Sequence, residues 1–150
     1  MDIKDYIVLG GNTATSYNGG YRWNIPPSYY SNQRASVATV ELLQFNHTKS
    51  SAHELALIST ELGLQNQYAS TGGRGVLAIA QNNVDDMSTY FGGTMKLLTP
   101  ARPTDIVIYF YAADGVTKRN PDEFKLVLQF CYYNAEDTTK ELLRQYTPTI

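Results

Sequence analysis

One alternation near the C-terminal end constrains this chain more than any other feature. Phe124, Leu126, Leu128, Phe130 and Tyr132 share one parity, while Lys125, Gln129 and Cys131 share the other. A period of two belongs to a half-buried strand, because successive side chains of an extended backbone point to opposite faces. Just upstream, Ile106-Val107-Ile108-Tyr109-Phe110-Tyr111 is β-branched and aromatic at both parities, the pattern of a strand covered on both sides. Asp114-Gly115 then supplies turn chemistry. Ile106, Ile108, Phe110, Leu126, Leu128 and Phe130 are accordingly expected in the core.

Shorter segments repeat the theme: Ile3 to Leu9, Tyr21 to Ile25, Ser36 to Phe45, Glu54 to Thr60, Gly75 to Ala80, and Thr94 to Leu98, which with the two above makes eight candidate strands. Turn-formers lie between them: Gly10-Gly11-Asn12, Asn18-Gly19-Gly20, Pro26-Pro27, Asn46 to Ser51, Gly72-Gly73, Asn82-Asn83 and Gly92-Gly93. No helical apolar stripe separates the strands, which argues against a parallel sheet. Eight antiparallel strands can fold as two packed sheets, and the expected fold is an all-β, eight-stranded jelly roll, with an immunoglobulin-like sandwich as the second choice. The polar stretch from Glu61 to Arg74 reads as a surface loop.

At 150 residues the chain fits one domain with a true core. The jelly roll is placed at residues 1–135 and a C-terminal tail at 136–150. In the tail, Thr138 precedes Glu141 as a helix N-cap would, and Leu142, Leu143 and Tyr146 follow. A helix or extended arm this short needs something to pack on, so these three residues are candidate assembly contacts. Arg102 is a fourth, because Pro100 and Pro103 restrict the backbone around it and would aim its guanidinium in one direction.

Catalytic and ligand chemistry is thinly represented. The only histidines, His47 and His53, border a polar loop and read as surface residues, and the turn-forming residues between them leave them no common strand or helix face. Asp85-Asp86 lacks a calcium-loop pattern, and Thr71-Gly72-Gly73-Arg74-Gly75 lacks the Lys-Ser/Thr ending of a phosphate loop. Cys131 is the only cysteine, which rules out an intrachain disulfide and reads as a small buried hydrophobe. The sequon Asn46-His47-Thr48 is expected to go unused, since no secretion signal is visible. The expectation is a protein that is not an enzyme and carries no catalytic residues, no cofactor and no metal.

Charge narrows the partners. A net charge of −2 with scattered Lys and Arg gives no basic patch for nucleic acid, and no apolar run suggests membrane insertion. Twelve tyrosines stand against one tryptophan and five phenylalanines. Such amphipathic rings suit wet protein–protein surfaces, and a head-to-tail contact between identical subunits must close into a ring or run on as a filament.

Five segments in order, Trp23-Asn24-Ile25-Pro26, the run from Glu54 to Ser70, Gly75-Val76-Leu77-Ala78, the run from Leu97 to Gly115, and Phe124 to Phe130, resemble the single jelly-roll capsid proteins of large icosahedral DNA viruses. That family contains penton and minor capsid proteins. The resemblance implies a structural subunit of the virion, made in the host cytoplasm. It implies a homopentamer at icosahedral vertices, in contact with the major capsid protein and other minor capsid proteins. The alternatives are a minor capsid or cement protein, or a carbohydrate-binding jelly-roll module using Tyr29, Tyr30, Tyr68 or Tyr90 as sugar-stacking platforms.

Overall fold

The computed structural model describes residues 4–47, 57–62, 75–82, 89–112 and 116–133, with the side chains of residues 57, 80–82 and 89–94 excepted. Ten strands run through the described residues: β1 (Lys4–Gly10), β2 (Thr15–Tyr17), β3 (Gly20–Asn24), β4 (Val37–His47), β5 (Leu57–Thr60), β6 (Gly75–Asn82), β7 (Thr89–Thr94), β8 (Leu97–Pro100), β9 (Asp105–Tyr111) and β10 (Phe124–Tyr133). They form a four-stranded sheet ordered β1-β10-β4-β8 and a six-stranded sheet ordered β2-β3-β9-β5-β6-β7. Every pairing is antiparallel.

The path between the sheets makes this a jelly roll. The chain passes from β1 in one sheet to β3 in the other, back to β4, over to β5 and β6, back to β8, over to β9, and back to β10. Those eight strands are the wrapped double sheet that the alternation led us to expect. The remaining two, β2 and β7, widen the six-stranded sheet at its two edges.

The facing sides of the sheets form the core. Phe124, Leu126, Leu128, Phe130 and Tyr132 are all buried, as are Ile106, Ile108 and Phe110. At the centre, Phe110 lies 5.0 Å from Phe124 and 5.4 Å from Phe45 between ring centroids. Tyr21 meets Phe124 edge-on at 4.7 Å. Such ring pairs contribute about 0.5–1.5 kcal/mol beyond the area they remove from water. Trp23 closes one side of this group, and its indole Nε1 donates to the Gly10 carbonyl at 2.9 Å.

β9 is covered on its second face too. Val107, Tyr109 and Tyr111 form a separate buried cluster against Tyr17. The Tyr109 hydroxyl donates to Glu61 at 2.6 Å, and the Lys118 ammonium sits 5.3 Å from the Tyr109 ring centroid. Lys118 also donates to the Asn18 carbonyl, and Asn120 to that of Gly19. The segment leading into β10 therefore straps the β2–β3 hairpin, whose turn places Asn18 at φ +48° and Gly19 at φ +78°. Two consecutive positive φ values are the signature of the tight hairpin turn that Asn-Gly favours.

Four local features depart from expectation. The segment Thr94 to Leu98 is not one strand: it breaks at Met95 and Lys96 as the chain leaves the six-stranded sheet for the four-stranded one. Gly92-Gly93 lies inside β7 rather than in a turn, and Gly92 is the unpaired residue where the register shifts between Ile79 and Ala80. A glycine bulge suits a strand that must bend at a sheet edge. Thr15–Tyr17 forms a strand where none was expected, because three residues carry no periodic signal.

The fourth is a bulge in β4. Leu42 pairs with Leu128 and Gln44 with Val127, so Leu43 is the extra residue and is 42% exposed. Inward-facing positions are even up to Leu42 and odd from Phe45 onward. This change of parity carries His47 into the interior at 2% exposure, stacked on Phe45 at 5.1 Å, and overturns its reading as a surface histidine. The C-terminal tail expected at residues 136–150 lies outside the described residues.

Candidate functional site

Among the described residues, the loop between β3 and β4 is the most heavily anchored connection. Its short 3-10 turn, Pro27–Tyr29, is followed by Tyr30, which is buried against Phe130 at 5.6 Å and donates its hydroxyl to the Pro103 carbonyl at 2.6 Å. Asn32 Oδ1 accepts from the amides of Arg34 and Ala35, and Gln33 donates to the carbonyls of Pro27 and Tyr30. Arg102 completes the frame, its Nη1 donating to the carbonyls of Asn32 at 2.9 Å and Ala35 at 2.6 Å. The guanidinium is thus held against a loop of its own chain.

Asp5 on β1 ties the loop to the four-stranded sheet. Its Oδ2 accepts from the Ser31 amide at 2.7 Å and from the Tyr132 hydroxyl of β10. Burial pushes the Asp5 carboxyl up, but the hydrogen bonds from Tyr132 and Ser31 outweigh it and hold Asp5 below the usual carboxylate range. Burial, then the Asp5 bond and charge, push Tyr132 far above the usual tyrosine range, so it remains a donor.

A carboxyl held low contributes its full stabilisation only well above about pH 4, the pH at which a free Asp is half ionised. That stabilisation is lost as the pH falls through the lower value that Asp5 has in the fold. Asp5→Asn is therefore expected to be less stable than the wild type at neutral pH, with the gap narrowing below about pH 4. Denaturant melts at stepped pH check this, and a gap that stays constant into acid would remove Asp5 as the pH-dependent anchor.

The anchored loop presents Tyr29 to solvent at 72% exposure, beside Tyr6 at 58% and Val8 at 60% on β1. A shallow groove of about 320 Å³ lies here, lined by Tyr6, Ile7, Val8, Asn24, Ile25, Pro26 and Tyr29. It runs beside β1, which ends the four-stranded sheet and pairs only with β10 among the described strands. An exposed apolar surface rimmed by polar residues is what an interface requires. A second hollow, of about 410 Å³, is lined by Gly11, Asn12, Asp122, Glu123 and Phe124.

No group of three His, Cys, Asp or Glu side chains converges on a metal position among the described residues. His53, Glu54, Asp85, Asp86 and the Thr71–Gly75 run up to Arg74 lie outside them, as do the tail residues Leu142, Leu143 and Tyr146. Cys131 is half-buried on the outer face of β10, where its Sγ accepts from Gln129 at 3.4 Å, so it is less enclosed than expected. Of the tyrosines considered as sugar platforms, Tyr29 is exposed and Tyr30 is buried. Tyr68 lies outside the described residues, and the Tyr90 side chain is not described.

The groove was missed in the sequence because its residues come from β1 and from the loop after β3. Tyr6 and Val8 had a readable signal: they are the outward parity of an apolar strand, where a solvated face would carry charges. Compared with known proteins, the chain matches no family model, no curated protein and no solved structure.

Proposed function

We propose that this protein is a structural capsid subunit, working as a penton that closes an icosahedral vertex as a ring of five. The observation that supports an assembling subunit, of whatever symmetry, is the exposed apolar surface formed by Tyr6, Val8 and Tyr29 along the flank of a jelly roll. Exposed rings held on a rigid frame are suited to subunit packing, since tyrosines bury large area at small entropic cost and keep a hydroxyl for water-mediated contacts. The anchored loop supports the same reading, because a preorganised surface loses less conformational freedom on assembly. The ring and its number five rest on the resemblance to penton proteins and on the closure that head-to-tail contacts require.

The test is the position of the chain in an assembled particle. Density for it on the five-fold axes is the expected result. Density beneath or between hexagonal capsomers would replace the penton role with a minor capsid one, and glycan binding by the isolated subunit with no particle association would replace both.

A further inference from the structure

Among the described strands, four end the two sheets, and three of them carry devices that discourage pairing with another chain. β2 is three residues long, β8 is four residues long and ends in Pro100, and β7 is broken by the bulge at Gly92. β1 is neither short, nor bulged, nor ended by proline, and its two charges, Lys4 and Asp5, are confined to its first two positions. Its seven residues pair with β10 without a register shift, and the stretch from Tyr6 to Leu9 holds no charge and no proline. A regular strand at a sheet edge has a row of backbone N–H and C=O groups directed away from its only partner, and these ask for another strand. The shallow groove of about 320 Å³ beside it is walled by Asn24, Ile25, Pro26 and Tyr29 and leaves open space along the strand.

We propose that β1 pairs antiparallel with β1 of a second copy of this chain, about a two-fold axis through Ile7. The sequence of β1 is self-complementary in that register. Tyr6 faces the second copy's Val8, and Val8 faces its Tyr6, so the two most exposed apolar side chains of the strand cover each other. An aromatic ring opposite a β-branched residue is a favourable cross-strand pair. Ile7 meets Ile7, Lys4 meets Gly10, and Asp5 meets Leu9, so no two like charges stand opposite. The four-stranded sheet becomes a continuous eight-stranded sheet across the axis.

An isologous contact is complete with two copies. It therefore joins copies in pairs, takes Tyr6 and Val8 out of any ring contact and leaves ring closure to other faces, so it stands whether or not the chain also forms a pentamer.

The test uses the full chain with Cys131→Ser, so that Ile7→Cys introduces the only thiol. Antiparallel partners place opposite Cβ atoms about 4.5–5.5 Å apart, so mild oxidation should convert most of the folded protein to a disulfide-linked dimer. Tyr6→Cys in the same background, displaced from the axis, should link several-fold less. Tyr6→Lys with Val8→Lys sets lysines opposite each other and should abolish pairing while leaving the thermal melt unchanged. Sedimentation of the unmodified chain gives a second reading: pairing alone gives twice the subunit mass, and a pentamer without pairing gives five times it. A folded Ile7→Cys variant that stays unlinked, equal linking by the Tyr6→Cys variant, or pairing that survives the double lysine substitution would overturn the proposal. So would a chain that stays monomeric and binds a strand of a different protein along β1.

Discussion

Replacing Leu128 with Ala is expected to cost about 2–5 kcal/mol of stability, the range for removing a buried leucine where the surroundings cannot collapse. Leu128 is fully buried in β10, an interior strand of the four-stranded sheet, and it pairs with Ile7 of β1 on one side and Leu42 of β4 on the other. Two flanking strands hold the backbone at that point, which limits how far it can move to fill the space. Denaturant melting with an unchanged slope would report the loss as a shift in midpoint. A change within about half a kcal/mol, the size usual for surface substitutions, would sink the placement of Leu128 in the core.

Gly20→Ala should cost about 1–3 kcal/mol, for the opposite reason of overpacking. A Cβ at Gly20 would come 2.6 Å from the Ile108 carbonyl oxygen and 2.5 Å from Cδ1 of Tyr109. The first of these is backbone in a strand paired on both edges, and the second is a ring pinned by its hydrogen bond to Glu61 and covered by Lys118. Neither can move aside freely. The β2–β3 hairpin would have to shift away from β9, and the environment of Tyr109 would change with it. Melting combined with near-ultraviolet dichroism reads both effects. An alanine variant with unaltered stability and an unaltered tyrosine signal would show that the hairpin approaches β9 less closely.

Together these substitutions probe the two packing layers on which the exposed groove depends. Leu128 lies behind β1, and Gly20 begins the strand that runs on to Ile25, Pro26 and Tyr29. Neither touches solvent at the groove. A loss of assembly in either variant should therefore track a loss of stability, whereas the lysine substitutions at Tyr6 and Val8 should remove pairing with the fold intact.

What the sequence determined by itself was the class of fold and the content of its two longest signals. In β10 the alternation from Phe124 to Tyr132 is uninterrupted, and every residue of that parity is buried. In β9 apolar side chains at both parities require cover on both faces, and both faces are covered. Periodicity is a local property, so seven or more residues in one register are enough to reveal it. Tertiary structure decided the rest. The bulge at Leu43 is set by the register against β10, and only that register turns His47 inward. The change of sheet at Met95 and Lys96 depends on which neighbour each half of the segment pairs with. Arg102 stands between two prolines, yet its acceptors are carbonyls 67 and 70 positions away in the chain. Asp5 finds Tyr132 across 127 positions. Contacts at such separations arise from how strands are ordered in a sheet, and side-chain pattern along one strand holds no information about which strand lies beside it.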